Sequence, residues 1–378
     1  MDPEVTIIGA LPPIVGISHY TANLVECLSR QINVSFLGFK HIYPAALFPG
    51  QLTDPTTVTP SETSNLEINN CLNWFNPLGW MAQAFAIRSR LVHGQWWSYP
   101  LAPVYIVILG ISKLRRKKNL LTVHNVLPHE NTVYRRFVHT AVYHFADEFI
   151  VHTEENRNRL MTMVNNKKVH IVHHGVSQPR QVSMTRPEAR QLLGIGRDDK
   201  ILLCFGHIRA YKGLDVAIDA LANTEDKSIK LLVVGKCWGE WDKYQQKINA
   251  RRLEGRIIVK PGYVPTDQIE AYFRAVDLVL LPYTHFDAQS GVGAMAVGFQ
   301  TPLIVSDAGG LKEYVGSRDF VFKSGDSEEL AGKIGSALSN PFLERDCAAH
   351  MQALGEDLGW QSAADKTVAI YRSMLGQL

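Results

Sequence analysis

An α/β fold of two Rossmann-like domains facing across a cleft is what this 378-residue sequence predicts, and three observations carry the prediction. Apolar runs of strand length alternate with helix-length segments along both halves of the chain. Several of those runs stop at Gly, Pro or His and pass through a polar loop into a helix, as parallel strands with right-handed crossovers do. Strand density lapses once, around His173-His174-Gly175-Val176-Ser177-Gln178-Pro179, which divides the chain into a domain over 1–175 and a second over 176–360.

The first half opens with a strand at Val5–Ile8, followed by a Gly9–Gly16 loop and a helix over Ser18–Arg30. A second strand covers Val34–Leu37. Residues 50–70 are rich in Thr, Pro and Ser and read as an exposed loop. A helix over Pro77–Arg90 precedes the strand Leu91–His93, and a further helix ends in the basic run Lys113–Lys118. Strand Leu120–Val123 closes at His124; helix Val133–Ala146 and strands Glu148–Val151 and Val169–Val172 complete the set. The second half repeats the theme. Strand Ile201–Phe205 leads through Gly206–Gly213 to helix Leu214–Ala222. Strands Lys230–Val234 and Ile257–Val259 follow, then a helix capped by Thr266 and strands Leu278–Leu281 and Leu303–Val305. The last helix, Gln361–Leu378, lies outside the final sheet unit.

Composition excludes several classes. The chain is 46% hydrophobic and 20% charged with a net charge of +3, which gives no global field for nucleic acid. Its five cysteines (Cys27, Cys71, Cys204, Cys237, Cys347) are odd in number, scattered and free of any CxxC pair. A reduced, cytoplasmic setting without a zinc site is expected. The N-terminus has no signal-like basic or apolar region, and the longest apolar run, Ala102–Ile111, is about half the ~20 residues of a bilayer span.

Three loops carry candidate chemistry. Arg209 and Lys212 follow a strand where a helix starts, and Gly206 opens that loop; a guanidinium fork and an ammonium there suit two phosphate oxygens. Gln289-Ser290-Gly291 stands between a buried strand and a helix, where free amides and the helix dipole favour an anion. Each loop alone is equally compatible with a solvated turn; the two together in one domain favour diphosphate binding. Asp287 precedes the second loop, and its carboxylate suits sugar hydroxyls, with a helix N-cap as the competing role. In the first half Gly16 and Ile17 present amides ahead of a helix. His124 ends a strand where it can bond sugar hydroxyls or position an acceptor, against a purely structural role, and His93 sits similarly on a neighbouring strand. Lys113, Arg115, Arg116, Lys117 and Lys118, near Trp96, Trp97 and Tyr99, form either the solvated end of a core helix or a contact with anionic lipid on the cytoplasmic membrane face. No Asp-x-Asp, GxGxxG, GxxxxGK[ST] or GxSxG occurs, which argues against a metal–diphosphate clamp, a dinucleotide oxidoreductase, a P-loop enzyme and a hydrolase of the GxSxG kind.

With these motifs in order, the chain resembles the retaining, nucleotide-sugar-dependent glycosyltransferases of the GT-B fold, family 4 (glycosyl transferases group 1) in particular. The matching stretches are Phe205–Asp215, Gly262–Tyr283, and Asp287–Val292 with Pro302–Gly310; Thr122-Val123-His124 and His174-Gly175-Val176 are shorter matches. The resemblance implies that Arg209, Lys212 and the amides of Ser290-Gly291-Val292 hold the donor diphosphate. It implies that Asp287 contacts the donor sugar, that the base lies near Gly235 and Gly262-Tyr263-Val264, that His124 lines the catalytic cleft, and that the last helix, Gln361–Leu378, crosses back to pack on the first domain. The Glu that usually holds the ribose is replaced by Met295, and His207 stands where many members have Arg. The implied activity is transfer of a hexose from a UDP- or GDP-sugar, with no cofactor and no metal, to a glycan, lipid-linked or small-molecule acceptor. The alternatives are an epimerase or hydrolase on the same scaffold and, given Met295, a non-catalytic nucleotide-sugar-binding subunit.

Overall fold

The computed structural model describes residues 2–14, 17–42, 59–126, 133–176, 183–286 and 290–377, which form two compact units: Met1–Gly175 joined by Trp360–Leu378, and Val176–Gly359. In the first unit β1 (Val5–Gly9), β2 (Val34–His41), β3 (Leu66–Asn73), β4 (Leu91–Trp96), β5 (Lys118–Val123), β6 (Glu148–Val151) and β7 (Val169–Ile171) form a parallel seven-stranded sheet in the order β3-β2-β1-β4-β5-β6-β7. The crossovers are carried by α1 (Ser18–Ser29), α2 (Pro77–Ala86), α3 (Ala102–Leu114), α4 (Val133–Phe145) and α5 (Glu154–Met161). Strands β1 and β4 are buried at every position, as continuous apolar strands covered on both faces must be. One face packs on α2 and α3, through Trp80, Val104, Tyr105 and Ile108. The other packs on α1 and the chain's final helix, through Leu24, Val25, Leu28, Ala364, Val368 and Tyr371.

In the second unit β8 (Ile201–Phe205), β9 (Lys230–Gly235), β10 (Ile257–Pro261), β11 (Leu278–Leu281), β12 (Leu303–Ser306) and β13 (Val321–Phe322) form a parallel sheet in the order β10-β9-β8-β11-β12-β13. Its helices are α6 (Arg186–Leu193), α7 (Leu214–Asn223), α8 (Asp242–Ala250), α9 (Ile269–Ala275), α10 (Gly291–Gly298), α11 (Ser327–Ser339) and α12 (Leu343–Asp357); the final helix, α13 (Trp360–Leu375), belongs to the first unit. Both sheets reverse their winding direction at one place: between β1 and β4 in the first unit, and between β8 and β11 in the second. The crevice outside the carboxyl ends of such a strand pair is where doubly wound folds take ligands.

Four local expectations are corrected. The 50–70 stretch is not loop to its end, because β3 begins at Leu66. That edge strand buries only Leu66 and Leu72 and is rich in Asn, so composition hides it. Helix α2 stops at Ala86 rather than Arg90, because Ile87 is extended and Arg115 Nη1 donates to the carbonyls of Ala84, Phe85 and Ile87. The basic run 113–118 is not a helix end throughout: α3 stops at Leu114, Arg116 is left-handed at φ 57°, and Lys118 already belongs to β5. Thr266 makes no capping bond and instead opens a 3-10 turn, Thr266–Gln268, ahead of α9.

Candidate active site

In the second unit the loops after β8, β9 and β11 meet at the switch point. Gly206, at φ 90°, ends β8; a methyl group added there would lie 3.2 Å from Lys212 Nζ and 3.5 Å from Val292 Cγ2. One backbone position thus touches both the basic loop and the first turn of α10. Gly235 closes β9, where any side chain would strike the Gly206 carbonyl at 2.0 Å, so only glycine lets the two strand ends come together. The Gly235 carbonyl accepts from the Gly262 amide at 3.3 Å, which ties in the loop bearing the half-buried Tyr263 and Val264.

Lys212 closes a 3-10 turn, Ala210–Lys212, with its ammonium 5.5 Å from the Tyr283 ring. Burial, then the Arg209 charge, pushes Lys212 down to about 8. Arg209 lies over the Trp238 ring at 4.1 Å, a cation–π contact on the residue that follows β9's turn. His207 meets the same indole edge-on; burial first, then Lys212, Arg209 and Lys236, lowers it to about 4, so it adds no charge to the cradle at neutral pH.

Ser290 is the N-cap of α10: its buried hydroxyl accepts from the Gly293 amide at 3.2 Å and stands 3.2 Å from the Tyr283 hydroxyl. The Tyr314 hydroxyl donates to the Ser290 carbonyl at 3.0 Å. Ser290 is therefore clamped from three sides, and its side chain is spent on the helix. The amides of Gly291 and Val292, in the first turn, have no intrahelical acceptor, and a side chain at Gly291 would meet nothing within 4 Å. Met295, one turn on, is half-buried against the core. Asp287 and Gln289 lie outside the described residues, as does Gly16.

In the first unit Ile17 occupies the N-cap position of α1, and its carbonyl accepts from the Thr21 amide and hydroxyl. Three residues on, Tyr20 packs edge-on to His124, with ring centres 4.6 Å apart. His124 is 7% exposed, and both ring nitrogens are occupied: Nε2 lies 3.0 Å from Gln95 Oε1 and Nδ1 lies 3.2 Å from His152 Nε2. His93 is fully buried and bonded to Tyr371, Thr122 and Gln95. The strand-end signal that marks His124 also marks His152 beyond β6, which the sequence reading passed over; Gln95, Trp238, Tyr283 and Tyr314 carry no comparable local signal. Among the described residues no group of three or more His, Cys, Asp or Glu side chains could hold a metal ion.

The basic run serves the fold in part. Besides the Arg115 bonds already given, Lys117 Nζ donates to the Ser89 carbonyl at 2.5 Å, and Lys113 lies 3.7 Å from Asp147. Among the described residues no helix is long and apolar enough to cross a membrane.

The buried histidines predict acid sensitivity. Burial lowers His93 and His152 to about 3 and His174 to about 4; burial first, then the neighbouring imidazoles, hold His124 well below its ordinary value. Their folded-state values lie below the unfolded ~6.5, so the unfolded chain binds more protons in acid. Stability is complete above about pH 6.5 and falls as pH drops toward 3–4, by up to about 1.4 kcal/mol per histidine per pH unit. Chemical unfolding at pH 7 and pH 5 checks this; an unchanged midpoint would contradict a neutral cluster.

Known proteins give this geometry a context. The family model of glycosyl transferases group 1 matches residues 185–353. A D-inositol 3-phosphate glycosyltransferase of Streptomyces scabiei is 28% identical over 251 residues, covering 62% of this chain and 56% of that protein. A D-inositol 3-phosphate glycosyltransferase of Mycobacterium marinum is 26% identical over 246 residues, covering 61% and 51%. The chain thus spans little more than half the length of these curated relatives. A sucrose-phosphate synthase from Thermosynechococcus elongatus superposes with a TM-score of 0.73 at 17% identity, over 99% of this chain and 100% of that one. HepE of Anabaena, in complex with UDP-glucose, does so with a TM-score of 0.70 at 18% identity, over 99% and 100%. Residues 185–353, most of the second unit, match the glycosyl transferases group 1 family, and the chain as a whole has the GT-B fold.

Proposed function

We propose that this chain is a retaining glycosyltransferase that moves a hexose from a nucleotide diphosphate sugar, UDP- or GDP-linked, to an acceptor hydroxyl, without a metal. The observation that carries the reading is the meeting of Gly206, Lys212 and the α10 N-terminus at the β8/β11 switch point. Two cations and the amides of Gly291 and Val292 can there neutralise the charge that grows on a leaving diphosphate, the term that contributes most in such transfers. Arg209 has its flat guanidinium already oriented by Trp238, so little entropy is lost on engaging an oxygen pair. Tyr263, Val264 and Gly235 flank the side where the base is read to lie, and Met295 the ribose side. Asp287, by the family resemblance, orients the sugar. The UDP-glucose complex of HepE supports a UDP donor.

The acceptor is read to bind the first unit, near Ile17 and His124. With both nitrogens bonded, His124 offers that pocket a ring wall rather than a base. The acceptor proton is read to leave with the diphosphate oxygen.

A lipid-linked acceptor has its own support. On α2 and its approach Phe75, Leu78, Met81 and Phe85 are exposed, Leu78 at 73% and Phe85 at 61%, and Leu114 projects beside them from the α3 end that Arg115 ties to α2. Arg88, Arg90, Arg116 and Lys118, in the segments that follow α2 and α3, are exposed as well. Such a combination fits the surface of an anionic bilayer, at about 1 kcal/mol per basic residue.

Two outcomes test these readings. Lys212→Ala lowers kcat/KM for the nucleotide sugar by about 100-fold or more with the fold intact, and EDTA leaves wild-type turnover unchanged. Unaltered turnover in the variant would remove Lys212 from the diphosphate site. In vesicle flotation the chain rises with phosphatidylglycerol-containing vesicles but not with pure phosphatidylcholine, and the double variant Leu78→Ser, Phe85→Ser stays at the bottom. Equal flotation of variant and wild type would eliminate the α2 face.

A further inference from the structure

His124 and His152 stand side by side because Thr122 pairs with Ile150, two residues earlier in each strand. Around them runs one continuous buried chain of hydrogen bonds. Tyr371 Oη on α13 lies 2.6 Å from His93 Nδ1, and His93 Nε2 lies 2.7 Å from Thr122 Oγ1 and 3.3 Å from Gln95 Nε2. Gln95 Oε1 lies 3.0 Å from His124 Nε2; His124 Nδ1 lies 3.2 Å from His152 Nε2; His152 Nδ1 lies 2.8 Å from the Val172 carbonyl.

With His152 neutral, donor and acceptor counting leaves this chain two self-consistent states. A carbonyl only accepts, so His152 carries its proton on Nδ1. A neutral His152 then has a bare Nε2, and His124 must donate to it from Nδ1. If His124 is neutral as well, its bare Nε2 needs a donor, which the Gln95 amide supplies when its NH2 group faces His124. The Gln95 oxygen then faces His93, which carries its proton on Nε2 and accepts at Nδ1 from the Tyr371 hydroxyl. With the amide turned over, as the atoms stand here, Oε1 faces His124. All bonds are then made only if His124 holds a proton on both nitrogens, and His93 takes the opposite tautomer, accepting at Nε2 and donating from Nδ1 to Tyr371. The two states differ by one proton, one half-turn of an amide and one tautomer.

We propose that Gln95 is the positioning residue of His124: it selects the Nδ1–H tautomer of the neutral ring, and its half-turn relays the gain of one proton at His124 to the His93–Tyr371 pair under α13. In the neutral state neither His124 nitrogen is free to take a proton from an acceptor. The titratable groups that face the ring are His93 on β4, His152 beyond β6, His174 beyond β7, Tyr20 on α1 and, at the far end, Tyr371 on α13. Among the described residues no carboxylate takes part in the chain, and the ring is neutral at pH 7. The bearing on sugar transfer rests on the reading that this pocket takes the acceptor; the hydrogen-bond logic does not.

Ring-nitrogen NMR of the full chain labelled with 15N-histidine tests both parts. The His124 signals are those lost in His124→Gln. Near neutral pH they show a protonated Nδ1 and a bare Nε2. Gln95→Glu, which can only accept from His124, turns them into a doubly protonated ring at the same pH while His152 keeps its tautomer. A wild-type His124 protonated on Nε2 alone, or a ring unmoved by Gln95→Glu, overturns the proposal; the wild-type spectrum decides by itself if the variant does not fold. Steady-state kinetics separates the functional reading: Gln95→Glu raises the acceptor KM and leaves the donor KM unchanged. A doubly protonated ring with an unchanged acceptor KM keeps the relay and removes the acceptor pocket.

Discussion

The second unit depends on one constraint, a buried ammonium whose main charged neighbour among the described residues is another cation. The charge that bears most on Lys212, after burial, is that of Arg209, of the same sign. Two like charges placed together cost stability in the free protein, and an anion between them would offset that cost. Much nearby geometry follows from this. Gly206 and Gly235 admit no side chain between the strand ends, Trp238 holds the Arg209 guanidinium flat, and Tyr283 gives the Lys212 ammonium an aromatic face. Ser290, Tyr283 and Tyr314 fix the start of α10, so the orientation of its first amides is set before any ligand binds.

The two units use the same topology for opposite electrostatics. Each presents loops at the carboxyl ends of the strands flanking its switch point. In the second unit that edge is cationic. In the first it is a dry, neutral lattice of imidazoles, a glutamine amide and phenols, packed around Tyr20 and closed from below by α13. The neutral lattice offers shape and oriented hydrogen bonds, while the cationic cradle offers charge.

The parts of this legible in the sequence are those with local signatures. Ile201–Phe205 and Leu278–Leu281 read as strands because buried parallel strands are unbroken apolar runs, and the observed bounds agree to the residue. The polar helices were not legible by periodicity: α5 reads Glu-Glu-Asn-Arg-Asn-Arg-Leu-Met and is announced only by its Thr153 cap, and α6 only by the Thr185–Glu188 capping box. In the candidate site, Arg209 and Lys212 stand out because they follow a strand. That Arg209 rests on Trp238 depends on β8 lying beside β9, and that His124 is bonded by Gln95 and His152 depends on the order β4-β5-β6 and on register. Such facts are set by sheet order, which no local stretch encodes. The basic run at 113–118 shows the converse: its composition suggests one surface, yet two of its five cations hold backbone carbonyls in place.

The most direct measurement is the proton uptake that accompanies nucleotide diphosphate binding, read by titration calorimetry of UDP in buffers of different ionisation enthalpy. An anion on Lys212 raises its pKa above the free value of about 8, so the complex takes up more protons as pH rises from 7 to 8.5, and affinity weakens beyond that. Lys212→Met abolishes the uptake and leaves weaker, pH-independent binding. Tight binding in wild type with no proton uptake across this range would contradict the assignment of Lys212 to the diphosphate.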